Sequence, residues 1–269
     1  FNVQGLSFQR LRPGDVEHEE PFILPEARYA YISEPDVWTG QVFGEIGALN
    51  LMRTEGRDTQ RLSGTIGWET RHVDPLGGRI TVTALTNVDL YSFQDTVDGT
   101  DRIDVVSAQA ESGAAGRVFP QAAVSYSYPL TRATRLGTEV LEPRIQAVAG
   151  PNGGNDAGIP NETSRTFEFT ASNLFQLDRL PGRDRVSSGQ RIDYGVDYTY
   201  TTPGGGGSAT ARLGQSYRIN TDSALPESVG AEEGFSDIVG RVDVSPIRYL
   251  TTRYDFRADE DTLKVKRSE

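Results

Sequence analysis

Side chains able to do chemistry are few and scattered. Histidine occurs twice, at His18 and His72, far apart in the chain. No local signature joins either of them to a serine and an orienting carboxylate, as a hydrolase would need. Cysteine is absent, so no disulfide framework and no thiolate metal site can exist within these residues. In QDTVDGTDRID, Asp95, Asp98, Asp101 and Asp104 fall three apart. That is not the spacing of a calcium-binding EF-hand loop, and a solvated charge run is the expected reading over loose cation binding. PGGGGS at 203–208 lacks the lysine and the following helix of a phosphate-cradling loop. Asn161–Glu162–Thr163 fits the glycosylation pattern only formally. His72, beside Trp68 near the end of an apolar stripe, reads as an interfacial side chain. No catalytic residue, cofactor or metal is assigned, and the chain is not expected to be an enzyme.

The richest constellation is NLFQLDRLPGRDRVSSGQRIDYGVDYTY, residues 173–200. Together with Arg165, its arginines Arg179, Arg183, Arg185 and Arg191 could grip phosphate or carboxylate in bidentate fashion. Two readings stand: contact with a phosphorylated glycolipid, or internal pairing with Asp178 and Asp184. At Gly189 the pattern changes. Ile192, Tyr194, Val196, Tyr198 and Tyr200 then fall on one side of an extended chain, and Arg191, Asp193, Gly195, Asp197 and Thr199 on the other.

The elements that must position these residues are strands. Glycine (29) and proline (14) punctuate the 269 residues, and the period-2 signal is much stronger than any helical one. Leu62, Ile66 and Trp68 alternate with Arg61, Ser63, Thr65 and Glu69. Ile80, Val82, Ala84, Val88 and Leu90 alternate with Arg79, Thr81, Thr83, Asn87 and Asp89. Ala209, Ala211, Leu213 and Tyr217 alternate with Thr210, Arg212, Ser216 and Arg218. Residues 37–53 change phase around Ala48–Leu49, which predicts a β-bulge. The net charge of −11 argues against a nucleic-acid partner, which would need a basic stripe. All but two of the 27 basic residues are arginine, the exceptions being Lys264 and Lys266.

Three features separate a membrane sheet from a soluble sandwich. Several segments run to about a dozen residues, whereas a soluble strand averages ~5–6 and a tilted membrane strand needs ~9–11. Aromatics gather at strand ends on the apolar side: Tyr126 with Tyr128, Tyr198 with Tyr200, Tyr254 with Phe256. Finally, short connections near 34–36, 74–77, 129–136, 203–207 and 245–248 alternate with longer ones near 11–21, 54–60, 94–115, 150–188 and 220–234. A tight turn near 259–261 breaks that alternation once. Outer-membrane barrels have tight periplasmic turns and long external loops. The expected fold is therefore all-β: a partial antiparallel transmembrane β-barrel of roughly a dozen long strands. Residues 1–269 make one barrel segment, with 150–188 a long extracellular loop packed across the barrel mouth. Arg191, Asp193 and Asp197 are expected to face a hydrated lumen, and the Tyr194 side to face outer-membrane lipids. FNVQGLSFQR shows no initiator methionine or signal peptide, and KVKRSE looks like the start of a strand, so a longer parent protein is expected.

LEPRIQ (141–146), NLF (173–175), GRDR (182–185) and GQRIDYGV (189–196) together resemble the C-terminal barrel domain of the LptD family. These are the lipopolysaccharide-assembly, or organic solvent tolerance, proteins of Gram-negative outer membranes. The residues carrying the resemblance are Leu141, Glu142, Pro143, Arg144, Asn173, Leu174, Phe175, Gly182, Asp184, Arg185 and Gly189. Weaker similarity covers LPEARYAY (24–31), QRLSG (60–64) and RYDFRADEDTLKVKRSE (253–269). The resemblance implies a large barrel plugged by an LptE-like lipoprotein. Lipopolysaccharide would arrive from an LptA-like periplasmic bridge through an N-terminal jelly roll, and leave through a lateral opening into the outer leaflet. This chain shows no jelly roll and reads as an internal part of the wall. A general porin or solute channel is the alternative; a membrane-embedded hydrolase and a soluble β-sandwich are more distant ones.

Overall fold

The computed structural model describes residues 1–9, 20–35, 40–54, 56–96, 112–164, 167–220 and 234–269. They form an all-β antiparallel sheet. Its strands are β1 (Asn2–Ser7), β2 (Phe22–Ile32), β3 (Gly40–Met52), β4 (Gly56–Val73), β5 (Arg79–Thr96), β6 (Gly113–Ser127), β7 (Leu130–Thr134), β8 (Gly137–Ala149), β9 (Arg191–Thr201), β10 (Ser208–Arg218), β11 (Gly234–Phe235), β12 (Ile238–Ile247), β13 (Leu250–Ala258) and β14 (Val265–Ser268). The order follows the sequence, with β7 paired to β8 and β11 to β10 off the main path. No helix among the described residues is long and apolar enough to cross a membrane; the strands are the long elements. Two compact units divide the chain. One comprises Phe1–Trp68, Leu85–Phe119 and Asp156–Pro160, the other Glu69–Ala84, Pro120–Asn155 and Asn161–Glu269.

Pairing register turns the alternation of each strand into continuous rows. On one face Leu141, Tyr198, Ala211, Val242 and Tyr254 lie side by side across five strands, as do Pro143, Val196, Leu213, Gly240 and Phe256. On the other face Glu142, Asp197, Arg212, Arg241 and Asp255 form the corresponding row. The apolar rows are the exposed ones: Ile66 is 64% exposed, Ile46 61% and Val118 67%. Charged groups, by contrast, are buried: Asp89 and Asp193 are at 0%. Each large aliphatic side chain left in water forgoes ~1.5–3 kcal/mol of burial. Over such a face the loss reaches tens of kcal/mol, more than the net stability of ~5–15 kcal/mol that a domain possesses. A lipid solvent removes that cost, and the inverted pattern is that of a membrane β-sheet.

The change of phase in β3 is not a bulge in that strand. Ile46 and Ala48 share one face and Leu49 and Leu51 the other, without a break in alternation. Leu49 and Leu51 are buried on the polar face, where they cluster with Ile23. The extra residue lies in β2. Ile23 pairs with Leu51 and Glu26 with Leu49, so Leu24 and Pro25 together oppose Asn50. Proline has no N–H for a ladder and is found at such places. The segment 54–60 is not a long connection either. β4 begins at Gly56, whose φ of +108° suits a tight reversal, and Asp58 Oδ1 accepts the Arg53 N–H at 2.7 Å. The polar stretch from Gly56 onward belongs to the strand. Of the acidic run, Asp98, Asp101 and Asp104 lie outside the described residues, as do His18 and Arg165.

Candidate functional site

The longest connection among the described residues is 150–190, and its part from 161 onward folds over the polar face of the second unit. Its neck is closed by backbone bonds. Gly189 donates its N–H to Pro151 O (2.8 Å) and accepts from Gly150 N (3.1 Å). Gly189 has φ +78°, a left-handed conformation that glycine adopts without penalty. Higher up, Asn155 exchanges two bonds with the Val186 backbone, at 2.7 and 2.8 Å.

Inside the loop several polar side chains organise backbone. Asn173 accepts from Thr170 N and donates to Glu168 O. Asp184 is fully buried and accepts from Glu162 N (2.7 Å), Thr163 N (2.6 Å) and Thr163 Oγ1 (2.8 Å). Arg185 donates its backbone N–H to Ser164 Oγ and its Nη1 to Asp184 O. Gly182 has φ +73°, and a Cβ there would fall 2.4 Å from Thr163 Oγ1.

A small apolar core then seats the loop on the sheet. Phe169, Ala171, Leu174 and Leu180 cluster with Val239 of β12. Leu174 rests above Gly214; a Cβ on that glycine would lie 2.3 Å from Leu174 Cδ2. Gly195 is the cross-strand partner of Gly214, so two adjacent strands leave the side-chain-free floor that Leu174 covers. Phe175 packs beneath Arg144, whose guanidinium carbon is 4.3 Å from the ring centroid.

Around this core the sheet grips loop carbonyls. Gln121 of β6 donates to Ser187 O and Gln146 of β8 to Phe175 O. Arg191 of β9 donates to Gln176 O and Leu177 O, and Arg218 of β10 to Ser188 O. At the centre lies Asp193. It accepts from Arg179 Nη2 of the loop, from Ser216 Oγ at 2.6 Å, from Arg191 Nε at 3.1 Å and from Gln146 Nε2 at 3.4 Å. The side chains of Arg179, Arg191 and Asp193 are all without solvent exposure. Burial, with Arg191 close by, pushes the Arg179 guanidinium down from its ordinary value, and Asp193 opposes the shift. Arg179 Nε and Nη1 find no acceptor; the Phe169 ring stands 4.9 Å from the guanidinium carbon, a cation–π contact that partly offsets this.

Internal pairing therefore takes up Arg179 and Arg191, and their shared partner is Asp193, on β9 with Arg191. Asp197, four residues further along β9 on the same face, pairs with Arg212 at 2.5 Å and is partly exposed. Of the motif residues, Leu174, Phe175 and Arg144 meet at the loop–sheet contact. Asn173, Gly182, Asp184, Arg185 and Gly189 shape the loop. Glu142 pairs with Arg79 on the polar face, while Leu141 and Pro143 stand on the apolar face. Sequence reasoning passed over Gln121, Gln146, Ser216, Arg218 and the Gly195–Gly214 floor. Their places on the polar face, with glycine at Gly195 and Gly214 between the charged positions, were the available signal.

Nothing among the described residues makes a nucleophile–base pair; His72 is exposed near the end of β4. Asp237, Asp259 and Glu260 cluster closely enough to suit a cation. The Lys266 ammonium already sits between Asp237 (2.7 Å) and Asp259 (2.9 Å), which makes this an ion-pair cluster. What the arrangement provides is a two-faced sheet with a latched cover over part of its polar side. No curated protein matches the chain. The family model for LptD, described as LPS transport system D, matches residues 1–269, and the chain belongs to that family of lipopolysaccharide-transport components.

Proposed function

We propose that this chain forms part of the wall of the outer-membrane translocon that inserts lipopolysaccharide into the outer leaflet, with the 150–190 loop as a folded cover on the external side. Family membership supplies the substrate class. The observation that carries the rest is the burial of Asp193 between Arg179 of the loop and Arg191 of the sheet, which makes the loop a fixed part of the polar face. Sugar and phosphate groups need a polar route, while acyl chains remain near lipid; a sheet with one charged and one apolar face offers both. Arg191 and Asp193 act as the latch, and Asp197 belongs to the hydrated lining. An LptE-like lipoprotein as plug and an LptA-like bridge delivering lipopolysaccharide from the periplasm complete the reading, which includes no catalytic step, cofactor or nucleic acid.

Deleting 165–185 tests the cover. The full-length protein should still assemble in the outer membrane, and cells should become permeable to large antibiotics normally excluded. Assembly with unchanged permeability would overturn the role of the loop as a cover.

A further inference from the structure

Glycine inside a strand weakens it and often marks a place where something else approaches closely. Three such glycines in this sheet have a visible occupant. A Cβ at Gly67 would fall 2.3 Å from the Phe43 ring, one at Gly240 2.3 Å from Phe256, and one at Gly214 2.3 Å from Leu174. Gly44 and Gly64 are different. A Cβ at Gly44 would meet nothing nearer than Thr65 O at 3.5 Å, and one at Gly64 nothing nearer than Glu45 O at 3.9 Å. Both positions have room for a side chain and carry none.

Both lie on the apolar face of the first unit. Gly44 is the cross-strand partner of Tyr31, and Ile46 that of Tyr29. Tyr29, Tyr31, Ile46, Ile66 and Val88 wall an apolar groove of about 360 Å³ of which the two glycines form part of the lining. Its lining is apolar almost throughout, so a bound group at that depth carries no charge or hydrogen-bonding function. Ile46 and Ile66 of its walls are themselves exposed on the apolar face. Tyr29 and Tyr31 stand near the end of β2, from which the short connection to β3 leads; tyrosines at strand ends sit at the head-group level of membrane barrels.

We propose that this groove binds one acyl chain of a glycerophospholipid from the periplasmic leaflet. The occupant follows from chemistry and position together. An unbranched hydrocarbon chain suits a narrow apolar trough, and the short-turn end of a membrane barrel faces the periplasm. Lipids of the other leaflet hold their chains nearer the opposite strand ends. The inference requires this face to meet lipid and is independent of what the full-length protein transports.

The test is photocrosslinking of the full-length protein, reconstituted in phosphatidylethanolamine–phosphatidylglycerol vesicles doped with a phosphatidylethanolamine that carries a mid-chain diazirine. Peptides spanning 44–46 and 64–66 should be labelled several-fold more than the lipid-facing peptides of β10 and β12. The Gly44→Leu/Gly64→Leu variant should fold, since neither Cβ meets a close contact, and should lose that excess. Heat-modifiable gel mobility checks its folding. Equal labelling of all lipid-facing strands, as for a non-selective lipid annulus, would overturn the proposal. So would an excess that survives the double substitution, or preferential labelling by lipopolysaccharide bearing the same photoreactive chain. If the double variant does not fold, competition by unlabelled phosphatidylethanolamine against the wild-type signal decides: a signal that does not saturate refutes a site.

Discussion

Replacing Asp193 by alanine removes the one carboxylate shared by Arg179, Arg191, Ser216 and Gln146. Arg179 and Arg191 would then face each other without solvent. Breaking a buried ion pair by deleting one partner costs about 3–5 kcal/mol, because the remaining charge stays buried. The sheet does not depend on that contact for its ladder, so the cost falls on the closed state of the loop. At about 1.4 kcal/mol per tenfold, even the lower figure raises the open population by on the order of 100-fold. Proteolysis of a segment tracks its open population when opening is fast relative to cleavage. The assay is tryptic cleavage after Arg183 or Arg185 in the full-length protein held in its membrane. Asp193→Ala should be cut on the order of 100-fold faster than wild type, with heat-modifiable mobility of the barrel unchanged. Asp197→Asn provides the contrast. Its partner Arg212 is about a third exposed, such pairs contribute about 0.2–1 kcal/mol, and cleavage should change no more than a few-fold. Cleavage of Asp193→Ala within a few-fold of wild type would refute the latch.

Other perturbations bear on neighbouring parts of the account. Leu174→Ala empties a fully buried site and should weaken loop closure by about 2–5 kcal/mol, read by the same cleavage assay; an unchanged rate would show that the apolar core does not seat the loop. Gly240→Ala should slow barrel assembly, since the new methyl would meet the Phe256 ring; adding Phe256→Ala should relieve it, and failure of that relief would refute the ring-over-glycine contact as the cause. In the 74–78 turn the Gly78 N–H is the main group holding the Asp74 carboxyl below its ordinary value, with the Leu76 N–H and the Tyr126 hydroxyl adding to it. A depressed folded pKa stabilises the turn above about pH 4, and that stabilisation is lost as pH falls through the lower folded value. The protection factors of the 76–78 amides, taken against the intrinsic exchange rate at each pH, should therefore fall on acidification in wild type but not in Asp74→Asn; parallel protection profiles would refute it.

The strands were legible because one rule governs every residue in them: with lipid on one side, each alternate position must be apolar. Leu62, Ile66 and Leu213 announce their face without reference to any partner. The rule misled where the polar side carries its own apolar cluster. Leu49 and Leu51 looked like a slip in register because Ile23, their reason for being there, lies on another strand. In GRDTQ (56–60) several polar residues in a row concealed the start of β4. The loop was visible as length and as arginine-rich composition; Arg144 and Gln146 of LEPRIQ touch it, whereas Leu141 and Pro143 stand on the apolar face and Glu142 pairs with Arg79. What could not be read was the identity of the partners. Arg179 stood near Asp178 and Asp184 in sequence, yet the carboxylate that holds it, Asp193, comes from a strand on the far side of the loop neck. Pairing of that kind depends on how the loop folds back, which local pattern does not encode.

The most direct test of the account is to deplete the full-length protein in its own cell and follow newly made lipopolysaccharide to the surface. Loss of surface delivery while other barrels still assemble is the predicted result. Undiminished delivery after depletion would contradict the translocon reading.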